Sequence, residues 1–310
     1  MQELIQADTS RSVAIFDTTG DITVQHDLLF DPTTTKWNPL AEAIDPNLAP
    51  TFFAQAVKDG YKYDDLTTPV MSMYLSFLAA ALIENRHNLT DAPEFLTSRG
   101  KRDGYSFSNT LTQHFWDTFE TLSDKDKRHE IASTLNKFLT LLLDGRIYRM
   151  LSVNNPSFTL SDIKDKTLLV RLPVHEYGKE TVEIIGSLLL TYLYQLHEDR
   201  ELSIYLEDCD LFARATVKNI LTRGQRKGVS MTVSHQYISQ LDPSVFAAIM
   251  GSCAERYIFR VSPDDSDVLG QMFPAGGLGR TLDTLENYTY RRFPYIKLKP
   301  DSFTIPLENT

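Results

Sequence analysis

Residues 202–208 read Leu202-Ser203-Ile204-Tyr205-Leu206-Glu207-Asp208. A short apolar run that ends in two adjacent carboxylates predicts a buried strand with charge at its carboxyl end. The pattern extends to both sides. Residues 167–172 form a second apolar segment, followed by helical spacing over 181–196. After the acidic pair come a helical stretch over 211–224, a strand over 230–234 and a helix over 243–250. A strand over 256–261 and a helix near 264–272 complete the series. Four short strands alternating with helices predict an α/β fold with a parallel sheet covered on both faces. Ligands of such sheets bind beyond the carboxyl ends of the strands, so the residues that follow each strand carry the functional question.

Upstream, SVAIFD (12–17) predicts a strand closed by a carboxylate. The turn Thr18-Thr19-Gly20-Asp21 and a second strand over 22–30 follow it. The next hundred residues differ. Segments 50–60, 68–85, 105–122 and 127–143 carry apolar residues at helical spacing, with stripes Phe107, Leu111, Phe115, Phe119 and Ile131, Leu135, Phe138, Leu142. The organisation expected is an α/β core in two pieces, 1–45 and 156–310, with an all-α subdomain inserted over 46–155.

The 310 residues hold 31 Lys+Arg and 41 Asp+Glu, a net charge of −10, so the chain has no global attraction for nucleic acid. A local basic strip must supply any such contact. Residues 211–241 contain no Asp or Glu but hold Arg214, Lys218, Arg223, Arg226 and Lys227. That strip is either a solvated helix face or a surface that meets phosphate. Two cysteines, Cys209 and Cys253, exclude a disulfide framework and a structural zinc site, and fit a reducing compartment. The apolar stretches 69–83 and 184–196 are shorter than the roughly 18–20 residues a membrane span needs, and read as buried helices.

Glu207 and Asp208 have two readings. They open the following helix, whose dipole favours acids, or they hold Mg²⁺ and orient an attacking water, as paired carboxylates do in nucleotide hydrolases. At the end of the next strand stand Ser234-His235-Gln236. Gln236 is of the type that hydrogen-bonds both a γ-phosphate and a water, whereas His235 has no nucleophile at a motif spacing and reads as structural. The sequence contains no G-x-x-x-x-G-K-[ST], so no segment supplies the amides and lysine that cradle β- and γ-phosphates. It contains no G-x-S-x-G either, which argues against an α/β-hydrolase.

In order, these pieces resemble the ATPases that serve as type IV secretion coupling proteins, within the hexameric RecA-type class of DNA translocases. The resemblance runs through Ile15-Phe16-Asp17-x-x-Gly20-Asp21, Phe30-Asp31-Pro32, Trp37-Asn38-Pro39-Leu40 and LLVRLP (168–173). It continues through IYLED (204–208), GQRKGV (224–229), SHQYISQL (234–241) and YIFRVSPDD (257–265). It implies a RecA-type P-loop NTPase core that uses ATP and Mg²⁺ to move DNA, working as a homo-hexamer with secretion-channel and relaxase-type partners. The implied location is the cytoplasm, at the inner face of the cell membrane. By position, Glu207 and Asp208 take the Mg²⁺/water pair, Gln236 the γ-phosphate sensor and Arg226 the arginine finger acting in a neighbouring subunit. Asp17 and Arg260 fall on the nucleotide side, and Arg214, Lys218 and Arg223 on the nucleic-acid side.

Two departures accompany the resemblance. The family presents Asp then Glu, and this chain Glu then Asp, which moves one methylene (~1.5 Å) from one arm to the other. The family's phosphate loop lies just upstream of the helix that residues 1–7 resemble, so the expectation is a chain that starts immediately after the loop. A motor fragment is one form of that expectation. A non-hydrolysing recruitment subunit is another, and a related motor for DNA packaging or repair a third.

Overall fold

The computed structural model describes residues 1–10, 12–42, 44–61, 69–197, 201–258, 262–272 and 296–298. It divides into two compact units, 1–234 and 235–310.

The first unit opens with helix α1 (Gln2–Gln6), strand β1 (Ser12–Asp17) and strand β2 (Leu28–Phe30). Among the described residues seven α-helices follow: α2 (Ala49–Gly60), α3 (Pro69–Glu84), α4 (Ala92–Thr97), α5 (Arg99–Arg102), α6 (Thr110–Glu120), α7 (Asp124–Leu142) and α8 (Gly145–Leu151). Then come β3 (Thr167–Arg171), α9 (Val174–Tyr177), α10 (Lys179–Leu196), β4 (Leu202–Leu206), α11 (Arg214–Arg223) and β5 (Val229–Val233). The five strands form one sheet in the order β2-β3-β1-β4-β5, and every pairing is parallel.

Strand β1 lies at the centre, and all six of its residues are buried. Its alternating side chains serve two layers. Val13 and Ile15 pack with Ile5 of α1 and with Leu169 and Tyr205. Phe16, one step out of phase, meets Phe212 edge-on at 5.4 Å between ring centroids. A strand covered on both faces gains nothing from polar residues, which is why SVAIF is apolar almost throughout. Helix α10 supports the same layer: Gly186 lies where an added Cβ would fall 2.6 Å from Phe212, and α2 approaches α10 so closely that a Cβ on Gly60 would lie 3.0 Å from the Glu183 carbonyl.

Strand β2 is shorter than expected. The segment 22–30 narrows to Leu28–Phe30 because the Ile22 N–H is taken by the Asp17 carboxylate at 3.3 Å rather than by a neighbouring strand. The helical expectation for the next hundred residues is met, and among the described residues no strand interrupts α2–α8. The aromatic stripe is met in part: Phe119 is buried, and Phe107 and Phe115 are half-buried. Leu111 is exposed, and the buried side of α6 is Thr112, Trp116 and Phe119. Aromatic packing selects that face: Phe77 stacks on Phe115 at 4.0 Å, and Phe95 meets Trp116 edge-on at 4.8 Å. On α7, Ile131 and Phe138 are buried with Thr134 and Leu141, while Leu135 and Leu142 are half-buried.

The second unit contains α12 (Pro243–Ser252), β6 (Arg256–Ile258), α13 (Pro263–Met272) and β7 (Ile296–Leu298). Strand β6 was expected as a further parallel strand. It pairs instead with β7, antiparallel, in a two-stranded sheet of its own. The periodicity of 256–258 marks a strand but cannot name its partner, and β7 lies about 40 residues away in sequence. No helix among the described residues is long and apolar enough to cross a membrane.

Candidate functional site

The carboxyl edge of the sheet gathers Asp17, Arg171, Glu207, Asp208 and Ser234. The parallel register explains why. Asp17 is level with Arg171 on β3, and the Glu207 N–H continues the β1–β4 ladder by donating to the Phe16 carbonyl at 3.2 Å.

Asp17 builds the turn that leaves β1. Its Oδ1 accepts from the Gly20 N–H at 2.6 Å and the Thr19 N–H at 3.2 Å, and its Oδ2 accepts from Ile22. The residue is fully buried. Gly20 has φ +85, a backbone conformation in which a side chain is strained, so the turn favours glycine there. The structure therefore places Asp17 beside the acidic pair, with both its carboxylate oxygens accepting bonds from the turn.

Glu207 and Asp208 do not open α11. That helix begins at Arg214, after a 3₁₀ turn over Cys209–Leu211, so its dipole does not account for the acids. Asp208 holds the left-handed conformation, φ 46 and ψ 61, which non-glycine residues adopt infrequently. The end of β5 wraps it: the Cys209 N–H donates to the Ser234 carbonyl at 2.8 Å, and the Asp208 N–H to Ser234 Oγ at 3.4 Å. Glu207 Oε2 accepts from the Thr18 N–H, the Thr19 N–H and Thr19 Oγ1 at 3.2, 3.3 and 3.1 Å. Asp208 Oδ2 accepts from Thr18 Oγ1 at 3.0 Å. Burial raises the pKa of Glu207 above the usual carboxylate range; the Thr19 hydroxyl opposes that, and the Asp17 charge adds to it.

This donor set fits part of a magnesium–nucleotide site. Mg²⁺ is commonly held by one or two carboxylates together with substrate phosphates, and Glu207 and Asp208 supply adjacent carboxylates at a strand end. Among the described residues no group of three or more His, Cys, Asp or Glu is arranged to hold a metal alone. The phosphate-cradling part has no counterpart motif in the sequence.

The basic residues sort differently. Arg214, Lys218 and Arg223 lie on α11, and Arg226 on the 3₁₀ turn Gly224–Lys227 that follows; all four are exposed. Lys227 is drawn inward, its ammonium 4.7 Å from the Tyr194 ring centroid. Gln236 belongs to the second unit, where its N–H donates to Gln240 Oε1 at 3.1 Å. His235 directs Nδ1 to the Tyr237 carbonyl at 3.3 Å. Arg260 lies outside the described residues.

Sequence reasoning missed Thr18, Thr19 and Arg171 as members of this edge. The signal for Arg171 was present, a lone cation closing an apolar strand. Its Nε is buried and has no hydrogen-bond partner among the described residues. The threonines carried no signal beyond turn composition.

Two solved structures share this fold. A bacterial conjugative coupling protein, TrwBdeltaN70 in complex with sulphate, superposes with a TM-score of 0.59 at 16% identity, covering 96% of this chain and 72% of that one. VirB4 of Thermoanaerobacter pseudethanolicus also gives 0.59, at 12% identity, covering 99% of this chain and 84% of that one. No protein-family model and no curated protein sequence matches the chain.

Proposed function

We propose that this chain is a motor-type domain of a type IV secretion or conjugation apparatus, built to couple ATP hydrolysis to DNA movement. One observation carries the reading. Two adjacent carboxylates follow β4 at the carboxyl edge of an all-parallel sheet, in the fold shared by a conjugative coupling protein and VirB4. In this reading Glu207 and Asp208 hold Mg²⁺ and orient water, and Gln236 senses the γ-phosphate. Arg226, exposed after α11, reaches the site of a neighbouring subunit in a hexamer. Arg214, Lys218 and Arg223 meet DNA phosphates, and Asp17 keeps the β1 turn in shape. Arg260 remains a candidate for the phosphate side. Residues 46–155 act as an inserted helical subdomain within a core of 1–45 and 156–310. The working place is the cytoplasmic face of a secretion channel, with relaxase-type proteins as partners.

A Mg²⁺ ion would be held by Glu207 and Asp208 and would supply neutralisation of phosphate charge. This chain supplies the acidic-pair side of the nucleotide site and no phosphate-cradling motif, so it should bind ATP weakly by itself. The test is DNA-stimulated ATP turnover in a form carrying a glycine-rich phosphate loop ahead of residue 1. Turnover that is lost in Glu207→Gln, and lost in Arg226→Ala with folding intact, supports the motor. A silent loop-bearing form would favour a non-hydrolysing recruitment subunit, the reading that the reversed order of the acids supports.

A further inference from the structure

The acids on β4 are gripped from β1. Three donors converge on Glu207 Oε2, and a fourth, Thr18 Oγ1, takes Asp208 Oδ2. The donors are themselves fixed. Thr18 is buried, its carbonyl accepts from the Val174 N–H at 2.8 Å, and the Asp17 carboxylate closes the turn beyond it. A glutamate on a strand end has several rotatable bonds and no preferred direction of its own. Tying one oxygen to a rigid turn gives it one.

We propose that Thr18 and Thr19 are positioning residues for the Glu207–Asp208 pair, holding one oxygen of each acid so that the other faces a divalent cation and its water in a fixed direction. The proposal rests on the acidic-pair reading above. It also accounts for the order of the acids. An aspartate at 207 would fall short of the Thr18 and Thr19 donors by one methylene, ~1.5 Å, whereas glutamate spans the gap. The longer acid thus stands at the position that takes three of the four donors.

The experiment follows the Glu207 side-chain carboxyl resonance of the full chain by carbon NMR at one fixed pH. Mn²⁺ affinity is read by electron paramagnetic resonance on the same samples. Thr19→Val keeps the shape and deletes a hydroxyl that donates to Glu207 Oε2, so it should move the Glu207 carboxyl resonance; Thr19→Ser should restore it. Loss of such an outer partner commonly weakens metal affinity 10–100-fold, and Thr19→Val should weaken Mn²⁺ by about that factor, with Thr19→Ser returning to wild type. A Glu207 carboxyl resonance identical in wild type and Thr19→Val overturns the clamp. The underlying reading fails separately: if Glu207→Gln and Asp208→Asn leave Mn²⁺ binding untouched, the pair is not a cation site, while the Glu207 resonance still decides whether the threonines hold it.

Discussion

Two glutamates of the first unit sit in opposite circumstances. Glu42 is buried at the base of the helical block, where its Oε1 accepts from the Trp37 indole at 2.7 Å, and both oxygens face the Leu160 N–H at 3.2 and 3.1 Å. Burial pushes its pKa up to about 7, with Asp162 adding to the shift. Glu207 is also pushed up by burial, but it stands half-buried at the sheet edge beside a left-handed aspartate, with one oxygen engaged by the turn. Both oxygens of Glu42 are turned to protein donors across the segments that enter and leave the helical block, as a structural acid requires. Among the described residues only one oxygen of Glu207 is so used. The same residue type closes a joint in one place and faces the ligand edge of a parallel sheet in the other.

The strongest way to break this comparison is at the joint. Trp37 is fully buried and packs edge-on against Phe30 at 5.5 Å. Trp37→Ala should cost about 3–5 kcal/mol in urea unfolding and leave the turn at Asp17 unaltered. A loss under 1 kcal/mol would mean the joint is not packed as described.

Next in size is the pH dependence of Glu42. With its folded pKa near 7 and its ordinary value at 4.5, the folded state keeps a proton that the unfolded state releases between those values. The contribution of Glu42 to stability should therefore be greatest below about pH 4.5, fall as pH rises, and level off above about 7. At ~1.4 kcal/mol per pKa unit the fall is about 3 kcal/mol. Glu42→Gln should flatten that part of the profile; a slope unchanged by the substitution would assign it to another group.

On the sheet side, Gly186→Ala pushes a methyl into Phe212, the ring that packs on Phe16 one residue before Asp17. Overpacking of this kind costs about 1–3 kcal/mol, measurable by thermal unfolding. The smallest effects on stability belong to the exposed cations. Arg214→Ala, Lys218→Ala and Arg223→Ala should each shift stability by less than about 0.5 kcal/mol. If these residues meet DNA, each should also lower the slope of log affinity against log salt by about 1. Slopes that do not move would return the strip to plain solvation.

Much of the fold was legible because its rules are local. The apolar runs at 167–171 and 202–206 became strands at nearly the stated bounds, since a strand buried on two faces must be apolar throughout. The acidic pair was legible for the same reason, as the first charge after such a run. Arg226 and the α11 cations were legible as exposed charge. Three things were not: the shortened β2, the antiparallel partner of β6 and the threonine grip on Glu207. In the last two a hydrogen-bond donor found its acceptor about 40 and 189 residues away, beyond any local window; in the first a side-chain carboxylate five residues back took the Ile22 N–H, a choice that apolar periodicity does not register.

By itself, then, the sequence determined an α/β core, its helical block and the place of the carboxylates, because burial and periodicity are written residue by residue. Tertiary structure alone decided which acid carries which bond. That choice depends on β1 lying against β4 in parallel register, which brings Thr18 and Thr19 within hydrogen-bond reach of residues nearly two hundred positions along the chain.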